Sequence, residues 1–180
     1  NYRIIAINDG SSDFRIKNYL ESLRNKIKQD NFLVIENSEN LGFIKSVNKG
    51  IVIDNYSDVV LLNSDTIVTN NWLAEIINTS NQDIKIGTVT PFSNNGSIAS
   101  FPVPNKNNLP ESMPEIDKIL DVMSRLKDLL APDLPTGVGF CYFVRRRLIN
   151  QIGVFDEVFG KGYGEENDFS IRAKKAGWRN

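Results

Sequence analysis

Residues 3–13 read RIIAINDGSSD, a short apolar run that ends in a turn of Asp, Gly and Ser residues. A run of this length is typical of a buried strand, and the turn offers side chains that cap a following helix. The next segment repeats apolar residues at helical spacing, at Ile16, Leu20, Leu23 and Ile27. The chain is therefore predicted to begin with a strand, a turn and an amphipathic helix.

Strand and helix patterns continue to alternate in the first half of the chain. Strands are predicted over 32–36 and 58–63, and helices over 45–53 and 71–78. This alternation is typical of βαβ units. The predicted fold class is therefore α/β, with a mostly parallel sheet flanked by helices in a single domain of 180 residues.

The pattern changes after Gly87, where Asn and Pro residues fill a long irregular stretch that we expect to face a substrate. The sequence then predicts an amphipathic helix over 116–130, a strand over 138–144 and a short basic helix over 145–152. A glycine-rich, acidic segment at 160–167 leads into a last helix.

Composition narrows the function classes. The net charge of −1 is spread along the chain, which argues against a nucleic-acid partner. No apolar stretch is long enough to cross a bilayer, and no leader is recognised. The single cysteine, Cys141, is interpreted as a core residue in a reducing compartment. Histidine is absent, so carboxylates must carry any acid–base and metal chemistry.

Asp9 is the first candidate functional residue. It stands at the carboxyl end of the first predicted strand, where open α/β sheets bind their ligands, and its carboxylate could accept hydrogen bonds from a uracil or ribose. The alternative is that Asp9 only makes the turn and helps to cap the next helix. The residues alone leave both interpretations open.

Asn63, Ser64 and Asp65 follow the apolar strand that ends at Leu62. Oxygen ligands at that edge of a sheet suit a hard divalent cation that bridges a diphosphate. The alternative is a helix cap, because this tripeptide is common in turns.

Glu165, Glu166 and Asp168 form a carboxylate cluster beside a glycine-rich loop. Neighbouring carboxylates raise the pKa of at least one member, while the start of a helix favours the anion, so a general base is predicted here. A solvated acidic first turn of the helix is the alternative.

Four segments, taken in order, resemble family 2 glycosyltransferases of the GT-A fold. They are NYRIIAINDGSSD at 1–13, ENLGFIKSVNKGI at 39–51, VVLLNSDTIVTNNWL at 59–73 and PTGVGFCYFVRRRLINQIGVFDEVFGKGYGEENDFSIRAKKAGWR at 135–179. The closest resemblance is to rhamnosyltransferase-like bacterial members that build cell-surface polysaccharides. Family members begin with an earlier strand and continue further, so we expect the chain to be cut short at both ends.

The resemblance assigns expected roles to individual residues. The positions that bind the nucleotide and its diphosphate correspond here to Asp9, Gly10, Ser11, Asn40, Gly42, Asn63 and Ser64. Asp65 corresponds to the metal ligand, although Asn63 stands where the family usually has aspartate. Glu166 corresponds to the catalytic base, and Glu165 and Asp168, which flank it, are also expected to be catalytic residues. Trp72 and Gly137 fall near the acceptor.

The resemblance also implies the reaction. A sugar would pass with inversion from a UDP- or dTDP-sugar to a hydroxyl of a glycan or lipid-linked acceptor, with Mn²⁺ or Mg²⁺ as cofactor. Residues 1–90 would bind the donor, and residues 91–180 would bind the acceptor. The expected location is the cytoplasm, with attachment to the inner face of the membrane left open, as is the oligomeric state. The alternatives are a non-catalytic nucleotide- or glycan-binding module and a sugar nucleotidyltransferase.

Overall fold

A computed structural model describes residues 2–108, Lys118 and 131–180. Apart from Lys118, the helix predicted over 116–130 lies outside the described residues. The chain divides into two compact units, Asn1–Ser57 with Val154–Phe169, and Asp58–Gly153 with Ser170–Asn180. We describe each unit by itself.

The first unit begins with the predicted βαβ arrangement. Strand β1 (Ile4–Asp9) is followed by helix α1 (Phe14–Lys26), strand β2 (Phe32–Asn37) and helix α2 (Phe43–Ile51). The two strands are parallel and in register, so Asp9 lies opposite Asn37 at their carboxyl ends. Helix α1 begins where the sequence predicts, because the Asp13 side chain accepts a hydrogen bond from the Arg15 N–H at 2.9 Å.

Strand β2 and helix α2 supply buried apolar residues to the core of the first unit. Phe32 and Val34 of β2 are buried with the period expected of a strand, whereas Glu36 is exposed and the last residue, Asn37, is buried. Helix α2 buries Ile44 and Ile51. The part of this unit that follows Gly153 along the chain adds a 3₁₀ turn at Glu157–Phe159 and the beginning of the last helix, which runs over Glu165–Lys175.

The second unit contains an antiparallel sheet. Strands β3 (Val59–Leu62), β4 (Thr88–Val89) and β5 (Cys141–Val144) are arranged in the order β3-β5-β4, and β5 is antiparallel to both neighbours. Helices α3 (Trp72–Asn81) and α4 (Arg146–Ile152) belong to this unit. The last helix, Glu165–Lys175, is α5.

The core of the second unit confirms that Cys141 is a core residue. Cys141 is buried with Ile76 and Phe143, and Trp72 packs against this cluster. Burial raises the pKa of the Cys141 thiol to about 11, so the group stays protonated near neutral pH.

The α/β fold class is confirmed, but the strand directions differ between the sheets. A mostly parallel sheet was predicted, and the β1–β2 pair is parallel, whereas the three strands of the second unit pair antiparallel. All four residues of β5 are buried, so buried and exposed residues do not alternate along this strand. Such a run predicts a buried strand without fixing its direction.

None of the helices among the described residues is long and apolar enough to cross a membrane.

Candidate active site

The Asp9 carboxylate holds the loop between β2 and α2. Its Oδ1 accepts hydrogen bonds from Asn37 Nδ2 at 2.8 Å and from the Leu41 N–H at 2.9 Å. Its Oδ2 accepts one from the Gly42 N–H at 2.9 Å. The parallel register places Asp9 opposite Asn37, and the loop then folds back over both. Asp9 therefore does more than make a turn, and the cap of α1 is Asp13.

Asn37 extends this network and was not identified from the sequence. Besides donating to Asp9, its amide donates to Ser46 Oγ at 2.9 Å and accepts from Lys49 Nζ at 2.7 Å. Asn37 is buried, whereas Lys49 is exposed. The available signal was the position of an asparagine at the end of β2, but its partner was fixed only by the pairing register.

Hydrogen bonding keeps Asp9 ionised. Partial burial alone would raise its pKa, but bonds from Leu41, Asn37, Ser46 and Gly42 outweigh that effect and hold the pKa below its ordinary value of 3.8. The carboxylate is therefore an anion at any pH near neutrality, and its hydrogen bonds are charge-assisted.

Asp9→Asn should lower the free energy of unfolding at pH 7 by about 1–3 kcal/mol, because hydrogen bonds to a charged group are lost. Since the folded pKa lies below 3.8, this stabilisation is complete above that pH and disappears as the pH falls through the folded pKa. Urea unfolding of both proteins at pH 7 and pH 3 measures the change. Asp30→Asn, at an exposed site, is the control, and a wild-type advantage that grows on acidification would contradict the prediction.

Gly10 and Gly42 allow the loops to come together. Gly10 has a φ of +68°, and a Cβ there would lie 2.5 Å from the Glu39 carbonyl carbon and 2.6 Å from the Asn40 nitrogen. Gly42 has a φ of +85°, and its Cβ would lie 3.1 Å from the Lys161 Cα. Both positions require a residue without a side chain. The structure thus brings Asp9, Gly10, Asn40 and Gly42 together in the first unit.

Ser11 and Asn40 are exposed beside this cluster. The Ser11 N–H donates to Asn8 Oδ1 at 3.1 Å, which closes the turn after β1. The exposed side chains of Ser11 and Asn40 are thus accessible to a ligand at the carboxyl ends of β1 and β2.

The acidic start of α5 differs from a solvated first turn. Glu165 is only 3% exposed, and its Oε2 has no hydrogen-bond partner among the described residues. Glu166 and Asp168 are half-buried. A buried carboxylate oxygen without a partner is costly, so this segment is built for something other than stability.

The loop before α5 has an unusual backbone. Gly160, Gly162 and Gly164 have positive φ, and so does Tyr163, at 76°. The side chain of Tyr163 is 98% exposed, so no packing compensates its conformation. A bulky residue with positive φ is uncommon and is often found at functional sites.

The Asn63–Asp65 segment is an exposed turn in the second unit. The Asn63 N–H donates to the Phe140 carbonyl at 2.9 Å, and the Thr66 N–H donates to the Asn63 carbonyl at 3.1 Å. The helix-cap alternative is wrong, because α3 begins only at Trp72 and its cap position is Asn71.

The Asp65 carboxylate is suited to act as a metal ligand. It is exposed and makes no hydrogen bond or ion pair with other described residues, so its oxygens are available. No group of three acidic, cysteine or histidine side chains that could hold a metal occurs within residues 2–108 and 131–180. A cation here would therefore take most of its ligands from substrate and water, as Mg²⁺ commonly does.

Gly137 and Trp72 have packing roles in the second unit. A Cβ on Gly137 would lie 2.1 Å from Cε2 of the buried Tyr142, and the Gly137 N–H donates to Ser170 Oγ at 3.0 Å. Trp72 packs on the cluster around Cys141. Their role near an acceptor stays a prediction.

Two solved structures share this fold. GalNAc-T7, solved with UDP, GalNAc and Mn²⁺, superposes with a TM-score of 0.71 at 17% identity over 98% of this chain and 35% of its own. A mannosyltransferase from Pyrobaculum calidifontis, in complex with GDP-Man and Mn²⁺, gives 0.62 at 15% identity over 98% and 44%. These similarities confirm the GT-A fold.

The sequence identifies the family. The profile described as Glycosyl transferase family 2 matches residues 1–153, so the chain belongs to that family. Poly-beta-1,6-N-acetyl-D-glucosamine synthase from Staphylococcus aureus (strain COL) is 41% identical over 88 residues, which cover 48% of this chain and 20% of the relative. The matched region thus spans about a fifth of the relative's length. The predicted family is confirmed, whereas the narrower resemblance to rhamnosyltransferase-like members stays a prediction.

Proposed function

We propose that this chain binds a nucleotide-diphosphate sugar and transfers the sugar, with inversion, to an acceptor hydroxyl in the synthesis of a cell-surface polysaccharide. The observation that carries the proposal is the close approach of Gly42 to Lys161 in the first unit, where a Cβ on Gly42 would lie 3.1 Å from the Lys161 Cα. Through it, the loop that precedes the carboxylates of α5 touches the loop that Asp9 holds. The candidate nucleotide loop therefore lies against the loop that leads into the helix of the candidate base.

Glu166 is the proposed base. It takes the proton of the acceptor hydroxyl, and the acceptor oxygen then bonds to the anomeric carbon on the face opposite the diphosphate. The bond from that carbon to the diphosphate oxygen breaks, and the nucleoside diphosphate leaves with the electron pair. Attack from the opposite face inverts the anomeric configuration. Glu165 and Asp168 are proposed to orient Glu166 and the acceptor.

Asp65 and Asn63 would hold a divalent cation, either Mn²⁺ or Mg²⁺. Such an ion offsets the negative charge that builds up on the leaving diphosphate. The available oxygens of Asp65 support the assignment, as does the Mn²⁺ of the two structures that share the fold. The amide of Asn63 is a weaker ligand than the aspartate usual in the family, which favours reliance on the diphosphate.

A UDP-sugar is the first proposed donor and a dTDP-sugar the second, with Asp9, Gly10, Ser11, Asn40, Gly42 and Ser64 lining the nucleotide site. The relative's name points to a hexosyl donor and a growing glycan, and a lipid-linked acceptor is the other candidate. We propose that residues 1–90 form the donor half and residues 91–180 the acceptor half. Trp72, although it lies in the first range, is proposed to contact the acceptor. The proposed location is the cytoplasm, where such donors are made, or the inner face of the membrane.

Two other functions receive less support. A sugar nucleotidyltransferase should carry a glycine-rich phosphate loop followed by Arg and Lys, and the sequence has none. A non-catalytic binding module would have no use for the buried Glu165 and the half-buried Glu166. Release of UDP from a UDP-sugar in the presence of the chain distinguishes an enzyme from a binding module.

Calorimetric titration of UDP and dTDP, with and without Mn²⁺, tests the donor site. We expect Mn²⁺ to strengthen binding and Asp65→Ala to lower the affinity in Mn²⁺ about ten-fold or more, because the protein ligand of the cation is lost. Asp30→Ala, which removes an exposed aspartate of the first unit, is the matched control and should bind like the wild type. Binding that ignores both Mn²⁺ and Asp65 would contradict the metal assignment.

A further inference from the structure

Asn48 is a buried polar residue in the middle of α2, and neither the motifs nor the proposed mechanism gives it a role. Its Nδ2 donates to the Phe155 carbonyl at 2.9 Å, and its Oδ1 accepts from the Phe155 N–H at 3.2 Å. Only 7% of Asn48 is exposed. One side-chain amide therefore binds both backbone groups of a residue that lies 107 positions away and outside any helix or strand.

Phe155 passes this constraint to the helix that carries the carboxylates. Its ring packs against that of Phe169 with centroids 4.9 Å apart, and both side chains are almost completely buried. Phe169 lies on α5 and, at a spacing of three residues, on the same side of the helix as Glu166. Buried, close-packed rings fix the rotation of a helix, because few alternative packings exist.

Helix α2 is also fixed at its other end. The Gly42 N–H is bonded to Asp9, and Ser46 Oγ accepts a hydrogen bond from Asn37. One helix is thus attached by its first turn to the candidate nucleotide loop and by Asn48 to the segment that precedes α5.

An apolar residue at position 48 could make no side-chain hydrogen bond to Phe155. It would leave the two backbone groups of Phe155 without the amide that orients them, and a partner lost at a buried site is expensive. The reciprocal bonds set the direction of the chain at Phe155 as well as its position, which an apolar contact does not do.

We propose that Asn48 is a positioning residue, which sets the Phe155–Phe169 contact and thereby the placement of Glu166 relative to the nucleotide loop. The proposal rests on the proposed function. It assigns Asn48 no contact with donor or acceptor. Loss of the amide should therefore misplace the base while the donor still binds.

The test compares Asn48→Ala and Asn48→Asp with the wild type in the full chain, using UDP-N-acetylglucosamine as the probe. UDP release should slow about ten- to hundred-fold in Asn48→Ala, because a small misplacement of a catalytic group has effects of this size. The dissociation constant of UDP, measured by calorimetry, should stay within about two-fold. Asn48→Asp keeps an acceptor for the Phe155 N–H but turns an oxygen toward the Phe155 carbonyl, so it should also slow release.

Ile44→Val is the control for general loss of stability. It removes one buried methyl group from the same helix and keeps both hydrogen bonds to Phe155. It should release UDP at close to the wild-type rate at temperatures where all variants are folded. Amide exchange followed by NMR should show faster exchange at Phe155 in Asn48→Ala than in Ile44→Val.

The outcomes separate the two proposals. A wild-type chain that neither binds UDP nor releases it would overturn both. An active wild type with Asn48→Ala and Asn48→Asp equally active would overturn only the role of Asn48. The role of Asn48 would also be overturned if the rate of UDP release and the affinity for UDP fell together in Asn48→Ala. The same holds if the rate fell as much in Ile44→Val as in Asn48→Ala.

Discussion

Glu166→Gln is expected to lower the rate of sugar transfer about 10³-fold, because glutamine has nearly the shape of glutamate but cannot take the proton of the acceptor hydroxyl. The affinity for UDP should stay within about two-fold, since the proposed base contacts the acceptor and not the nucleotide. Transfer is measured as radiolabelled sugar incorporated into acceptor, and affinity by calorimetry.

Glu157→Gln is the matched control for Glu166→Gln. Glu157 is an exposed glutamate in the 3₁₀ turn of the same unit, so its replacement should leave the rate unchanged. If Glu166→Gln transfers sugar within about three-fold of the wild type, Glu166 is not the base. The half-buried Asp168 would then be the next residue to replace.

Gly137→Ala is expected to destabilise the second unit strongly. The new Cβ would lie 2.1 Å from Cε2 and 2.5 Å from Cζ of Tyr142, whose ring is completely buried. Overpacking of this kind costs about 3 kcal/mol, which lowers the Tm by about 6–12 °C for a chain of this size. Thermal unfolding followed by circular dichroism measures the change.

A second substitution makes the explanation specific. Tyr142→Leu removes the ring that the new methyl group would meet, so Gly137→Ala should be much less harmful in that background, a positive coupling in a double-mutant cycle. Gly50→Ala is the control, because Gly50 lies inside α2 and its nearest neighbour is the flexible end of Ile7. If Gly137→Ala leaves the Tm unchanged and weakens only acceptor binding, the packing argument fails.

The sequence predicted the first unit closely because its elements have clear periods and capped ends. The strand predicted from the apolar run that begins at Arg3 is Ile4–Asp9, the strand predicted over 32–36 is Phe32–Asn37, and Asp13 caps α1 within the predicted turn. The helix predicted over 45–53 begins two residues earlier, at Phe43, because the φ of +85° at Gly42 sets its start.

Features that depend on distant partners were not predictable. Nothing in the run CYFV indicates that β5 is antiparallel to its neighbours, since direction is fixed by the pairing. The burial of Glu165 contradicts the expectation for an acidic residue in a first turn, and it depends on surrounding side chains. Asn48 looks like any polar residue of a helix until its bonds to Phe155 are seen.

The close approach of Gly42 and Lys161 also limits how the protein can be recombined. A loop taken from a relative and placed at 38–42 alone would have to present a glycine-sized residue to an unchanged Lys161 backbone. A loop placed at 160–164 alone would have to keep its backbone clear of an unchanged Gly42. A chimera intended to change the donor should therefore exchange both loops from the same parent. Chimeras with a single foreign loop should express and fold poorly even when each parent is stable.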